Sequence, residues 1–211
     1  MERSPGDRSV RPSELSNAGR GLLDETVVVG EVELSLLRPR DPDALLDEEA
    51  FARDEFMPYW AELWPAGLAL ARALPQRLDG VRLVELGCGL GVPSLVAAAR
   101  GASVTAVDWA AEAVALLHTN AAANGLAVDA RVADWRAFSG EFDLLLAADV
   151  LYEPRNVEAL LELLPRLALE VLLAEPGRPA GATFLERASA DWMVEERGRR
   201  VYRLTRVQSP G

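Results

Sequence analysis

The chain of 211 residues contains no lysine; all 22 of its basic residues are arginine. That removes a P-loop lysine and a Schiff-base lysine from the available chemistry, and a compositional bias toward arginine accounts for the absence. Cysteine and histidine occur once each, as Cys88 and His118, which excludes an internal disulfide and a zinc site built from several such ligands. No metal is expected. Nowhere does an uninterrupted apolar run approach the ~20 residues that cross a bilayer. The opening MERSPGDRSVRPSELSNAGR also lacks the apolar centre a secretory signal needs. The expectation is a cytoplasmic monomer without membrane contact. With 33 acidic residues and a net charge of −11, the protein would repel phosphate backbones, so nucleic acid is not an expected partner.

Half of the residues are hydrophobic, enough at this length for one substantial core. Residues 1–22 mix Ser, Pro, Gly, Arg and acids without apolar periodicity and read as a disordered tail, with folding expected to start near Glu25. Between Thr26 and Leu36, β-branched residues and alternation around Gly30 predict a short hairpin. The acid-rich DPDALLDEEAFARDEF reads as loop or helix. In MPYWAELWPAGLALARALPQRL, Pro65 suits the first turn of a helix that ends at Pro75 or soon after. From Val81 onward, short apolar runs alternate with Ala- and Leu-rich helical stretches, the pattern of a parallel, doubly wound α/β sheet. VRLVE, SVTAVD, DARVAD, FDLLLAAD and EVLLAE are the expected parallel strands, and WMVEERG with RVYRLTRV a final strand pair.

Five of these runs end in a carboxylate: Glu85, Asp108, Asp134, Asp149 and Glu175. Strand ends of one polarity share one edge of a parallel sheet, and ligands bind in the crevice outside it. The five acids are therefore expected to converge there, although any one alone could simply cap a helix. Behind the first of these strands, LVELGCGLG supplies Gly87, Gly89 and Gly91, which allow positive φ and close backbone approach ahead of a helix. Two cofactor folds use such a loop: a dinucleotide fold with G-x-G-x-x-G, and an S-adenosylmethionine fold with acid-x-G-x-G-x-G. The dinucleotide's third glycine position is Val92 here. Glu85 would also face phosphates unfavourably, whereas it can meet the ammonium of a methionine moiety. Charge favours the sulfonium cofactor. Asp108 stands at about the spacing at which an acid grips both ribose hydroxyls in either fold. Trp109 beside it could lie on the adenine face or simply pack, and Asp134 in VADW could accept from the adenine amino group.

Carried by VELGCGLG, TAVDW and VADW, the chain resembles the class I S-adenosylmethionine-dependent methyltransferases over roughly residues 55–207. PYWAELWPAG, AADVLYE and EPGRP narrow the resemblance. Together they are similar to the seven-strand protein-lysine methyltransferases, most of all those of the electron-transfer flavoprotein β subunit and their bacterial relatives. Asp149 and Tyr152 match that family's Asp-x-x-Tyr motif, and Glu175-Pro176-Gly177-Arg178 stands where close relatives usually carry Asp-Pro-Gly-Arg. The resemblance implies a Rossmann-like, doubly wound sheet of seven strands, mostly parallel with an antiparallel C-terminal strand, plus an N-terminal hairpin and helix. It implies a single methyltransferase domain over 23–211, with a hairpin and helical cap at 25–80 and a cofactor-binding core at 81–207. The cofactor would be S-adenosylmethionine, leaving as S-adenosylhomocysteine, and the partner a protein bearing a target lysine. Trp64, Glu85, Gly87, Gly89, Gly91, Asp108, Trp109, Asp134 and Trp135 would hold the cofactor. Asp149 and Tyr152 would be catalytic, and Trp60, Tyr152, Glu175 and Arg178 would contact the acceptor.

Plainer roles stand beside these. Trp60 and Trp64, four apart, would share a helical face and could anchor a helix instead of closing over a cofactor. Tyr152 could only pack on the next helix, Arg178 could only cap a loop, His118 reads as a solvated or packing residue, and Cys88 as small filler in the loop. Methyl transfer mainly requires that nucleophile, methyl and sulfur be aligned. A lysine acceptor must first lose a proton; the resemblance gives Asp149 the task of orienting the amine and taking up or relaying that proton, and Tyr152 that of an aromatic channel. A small-molecule N-methyltransferase acting on an amine or pyridine is the rival enzyme, favoured by an acceptor cavity enclosed by the N-terminal segment over Tyr152. A non-catalytic scaffold has no evident need for the Asp149 and Tyr152 pair. An NAD-linked oxidoreductase requires Glu85 to turn away from the loop.

Overall fold

In a computed structural model of the chain, residues 21–45 and 58–207 are described. The tail expected over 1–22 lies outside them except at its end, where Leu22 already opens a strand. Most of DPDALLDEEAFARDEF also lies outside; its described part forms a 3-10 turn at Asp43–Leu45. Strand β1 (Leu22–Val29) pairs antiparallel with β2 (Val32–Pro39) across the two-residue turn Gly30–Glu31. The hairpin thus begins about three residues before Glu25, because Leu22 and Leu23 extend the ladder as partners of Pro39 and Arg38.

Helix α1 (Pro65–Ala73) has proline at its first position and stops before Pro75. Then follow β3 (Arg82–Leu86), α2 (Val92–Ala99), β4 (Ser103–Asp108), α3 (Ala111–Ala123), β5 (Asp129–Val132), β6 (Leu144–Ala148), α4 (Arg155–Leu167), β7 (Glu170–Ala174), α5 (Pro179–Ala188), β8 (Trp192–Glu196) and β9 (Val201–Arg206). They build one seven-stranded sheet in the order β5-β4-β3-β6-β7-β9-β8. The first five strands are parallel to one another, and β9 runs antiparallel between β7 and β8.

Alternate residues of the central strands feed two cores. Leu83, Leu144, Leu146, Leu172 and Ala174 pack on one face with α1, α2 and α3, and with Val27, Val29, Leu34 and Leu36 of the hairpin. Val84, Leu86, Leu145, Ala147, Val171 and Leu173 pack on the other with α4 and α5. A sheet covered on both faces explains why its strands read as continuous apolar runs. Chain direction across the sheet reverses between β3 and β6, so the loops behind β3, β4 and β6 diverge and leave a crevice at their carboxyl ends. Among the described residues no helix is long and apolar enough to cross a membrane.

Candidate active site

A cavity of about 550 Å³ occupies that crevice, within the range of small-molecule and cofactor sites. Its floor is the loop from Glu85 to Gly91 between β3 and α2. Gly89 has φ +50°, and a Cβ there would lie 3.2 Å from the Trp60 carbonyl oxygen. At Gly91 φ is +70°, and a Cβ would fall 2.4 Å from Leu117 Cδ1 of α3. Glycine is therefore required for backbone conformation and for space, and the loop lies close against its neighbours.

Three of the five strand-end acids reach this cavity: Glu85, Asp108 and Asp149. Glu85 is fully buried; its carboxylate accepts from the Ser94 backbone N–H at 2.9 Å and from the Ser94 hydroxyl, at the start of α2. Burial raises its pKa to about 8, against the two Ser94 hydrogen bonds. Asp108 accepts from Gly89 N–H at 2.8 Å and from Ala110 N–H at 2.9 Å, one on each oxygen, so it ties the glycine loop to the end of β4. Its carboxyl is also pushed up by burial. The same burial, with the nearby acids, raises the Cys88 thiol, which is no thiolate nucleophile. His118 is remote from the cavity wall and its Nε2 meets the Ala130 carbonyl at 3.1 Å.

Asp134 and Glu175 do not line the cavity, contrary to the expected convergence of all five acids. Asp134 caps the 3-10 turn Trp135–Ala137, accepting from Arg136 N–H at 2.9 Å and pairing with the Arg136 guanidinium. Trp135 lines the cavity in its place. Glu175 turns into the chain behind it and accepts from the N–H groups of Gly177 and Arg178. In both cases the side chain satisfies backbone donors immediately downstream, a local pairing that carboxylates favour.

Asp149 follows β6 with φ +56°, one of three non-glycine residues at positive φ among the described residues. Such conformations are uncommon, and Asp is among the residues that tolerate them. Its N–H donates to Ala174 O at 2.9 Å, joining the ends of β6 and β7. Both carboxylate oxygens receive Arg178, from Nε at 2.5 Å and Nη2 at 2.9 Å. Arg178 is thus an ion-pair partner and not only a loop cap, and its hydrogen bonds to the Asp149 carboxylate hold the guanidinium's pKa above its ordinary value.

Beside this fork stand three aromatic rings. Tyr59 lies 5.5 Å from Tyr152 and 6.0 Å from Trp64, centroid to centroid, and all three line the cavity. Trp64 Nε1 donates to Tyr59 O at 2.7 Å, fixing the turn that carries Tyr59. The expectation of one helical face for Trp60 and Trp64 does not hold. Trp60 belongs to the 3-10 turn Tyr59–Ala61 and Trp64 is the residue before α1, since Pro65 sets the helix start after it. Both still reach the cavity, as does Trp109. The sequence gives Tyr59 no site role, since the tyrosine of PYWAELW reads there only as a helix anchor, and nothing in the local pattern tells which ring of that turn faces the cavity.

The family model described as lysine methyltransferase matches residues 56–180. The chain belongs to this lysine methyltransferase family. The sequence is 32% identical over 162 residues to the electron transfer flavoprotein beta subunit lysine methyltransferase of Xenopus laevis, covering 70% of this chain and 63% of that protein. It is 39% identical over 88 residues to a ubiquinone biosynthesis O-methyltransferase of Methylocella silvestris, covering 40% of this chain and 34% of that one. The methyltransferase chain therefore spans between a third and just under two thirds of the length of these curated relatives. In fold it is similar to the magnesium protoporphyrin IX methyltransferase of Synechocystis with bound S-adenosylmethionine, at TM-score 0.57 and 19% identity over 78% of this chain and 99% of that one. S-adenosylmethionine is the cofactor of methyltransferases of this kind.

Proposed function

We propose that this methyltransferase transfers the methyl group of S-adenosylmethionine to lysine side chains of a protein, with the electron-transfer flavoprotein β subunit as first candidate acceptor. The observation that carries this reading is the wall formed by Tyr59, Trp64 and Tyr152 beside the Asp149–Arg178 fork, on the same cavity as the glycine loop. Aromatic faces and a carboxylate suit an amine that arrives as a cation on an apolar stem. They suit a phenol or other oxygen acceptor less well, since a developing oxyanion would face Asp149.

The residues present fit the cofactor. Asp108 spends one lone pair on each oxygen on backbone amides, which leaves acceptor capacity for two ribose hydroxyls. Trp109 and Trp135 offer ring surfaces to a base, and Glu85 offers a carboxyl group to the ammonium of the methionine moiety. Asp134, paired with Arg136, has no such part in this reading. When bound, S-adenosylmethionine supplies an electrophilic methyl on a sulfonium that is its own leaving group.

The chain's own residues then have to deliver an uncharged amine in line. Lysine, with an ordinary pKa of about 10.4, must shed a proton first. Asp149 is held by Arg178 in one orientation and retains lone pairs for the amine N–H, so it aims the nitrogen; the proton leaves to water at the open rim. Tyr152 is kept a neutral phenol, because burial and then the charges of Glu153 and Asp108 raise its pKa; it flanks the alkyl stem. Tyr59 and Trp109 are 44% and 46% exposed, so the rim is open to solvent. Among the described residues the N-terminal hairpin contributes nothing to the cavity wall. Asp149→Ala tests the reading: transfer falls by about a hundredfold or more while the Kd for S-adenosylmethionine stays within about threefold. Loss of cofactor binding instead would move Asp149 out of the acceptor site.

A further inference from the structure

Glu175 follows strand β7; the residue is 3% exposed and its carboxylate is directed into the chain. One oxygen accepts from the Gly177 N–H at 2.8 Å and the other from the Arg178 N–H at 2.7 Å. Its room is made by a missing side chain. A Cβ on Gly181, in the first turn of α5, would lie 2.0 Å from Glu175 Cδ and 2.5 Å from its Oε1. Gly181 is not at positive φ, so space rather than backbone conformation calls for glycine in a helix where alanine is otherwise preferred. Arg178, whose backbone Glu175 pins, sends its side chain to both oxygens of Asp149. Asp149 is anchored in turn to the last residue of β7 through Ala174 O.

We propose that Glu175 and Gly181 form a positioning pair, which fixes the backbone of Arg178 and thereby the orientation of Asp149 toward the methyl acceptor. Glu175 itself touches neither acceptor nor cofactor. The inference rests on the methyl-transfer reading above. A two-toothed arginine–carboxylate contact has little tolerance for displacement of its backbone, and a shift of about 1 Å in a positioned group costs up to about a hundredfold in rate.

Three variants and their combination test it. Gly181→Ala drives a methyl into the carboxylate. Glu175→Gln keeps the shape but turns one acceptor into a donor facing an N–H. Glu175→Asp withdraws from Gly181 and still accepts from amides two and three residues on, as aspartate does in tight turns. The readouts are transfer of labelled methyl from S-adenosylmethionine to the proteins of a lysate lacking this gene, the calorimetric Kd of S-adenosylmethionine, and solvent exchange of the Arg178 Nε–H in nitrogen-15 spectra. Gly181→Ala and Glu175→Gln are expected to slow transfer by about tenfold or more with Kd changed less than about twofold, and to speed Arg178 Nε–H exchange. Adding Glu175→Asp to Gly181→Ala is expected to bring rate and exchange back to within about threefold of wild type.

Unchanged rates, a double variant no better than Gly181→Ala, or a loss explained wholly by a lower folded fraction would each overturn the positioning role. If the wild type labels nothing, the functional reading fails, and Arg178 exchange still decides. A fork loosened by Gly181→Ala and retightened in the double variant upholds the pair; an unmoved fork overturns it.

Discussion

Glu85 has a pKa of about 8 against an ordinary 4.5, because burial strips the water that would solvate its charge. The folded state therefore binds a proton that the unfolded chain releases. Stability contributed this way is complete below about pH 4.5 and is lost as pH rises through about 8. The unfolding free energy of the free protein, from denaturant titrations, should fall across that window by an amount on the order of a few kcal/mol, and Glu85→Gln should remove this component of the slope; a flat wild-type profile would contradict it. At this scale the sequence was half legible. The spacing of Glu85, Gly87, Gly89, Gly91 and Asp108 places them on one loop and one neighbouring strand end, and all reach the cavity. Which way a strand-end side chain turns depends on the donors downstream of it. The N–H groups behind Asp134 and Glu175 take those carboxylates from the cavity, and no strand periodicity reports that. Tyr59 was missed for a related reason, since its part depends on Tyr152, which the fold brings from 93 positions away.

At the scale of elements, the hairpin is bound to the domain by Asn120 of α3 and by Asn124, which caps that helix. Asn120 accepts from Leu37 N–H at 2.8 Å and donates to Leu37 O at 3.0 Å, while Asn124 does the same with Ser35 at 2.9 and 2.8 Å. Residues four apart on a helix and two apart on a strand recur at similar distances, so the two side-chain amides continue the ladder on the free edge of β2. Replacing either by alanine leaves a strand N–H and C=O without their partners and should cost about 1–3 kcal/mol in denaturant unfolding; a change within error would mean water takes over the edge. The hairpin was legible from alternation around Gly30, and α1 from Pro65 and Pro75. Its attachment was not, because AEAVALLHTNAAANG reads as an apolar helix in which the asparagines are merely poor helix formers.

At the scale of the whole molecule, the parallel core was legible because strands covered on both faces lose their alternation and read as apolar runs separated by helix-length stretches. An antiparallel C-terminal strand followed from the resemblance; its insertion between β7 and β8 did not, as no periodicity reports strand order. The acidic balance of the chain, net −11, would draw a lysine-rich acceptor from a distance and weaken that attraction with salt. The proposed receiver of the methyl group is a lysine on a protein. The purified protein would be incubated with methyl-labelled S-adenosylmethionine and a lysate lacking this gene, and labelled bands would be read by mass spectrometry. A discrete protein band methylated on lysine is expected; label confined to small molecules, or no transfer despite measurable cofactor binding, would rule out a protein lysine as the acceptor.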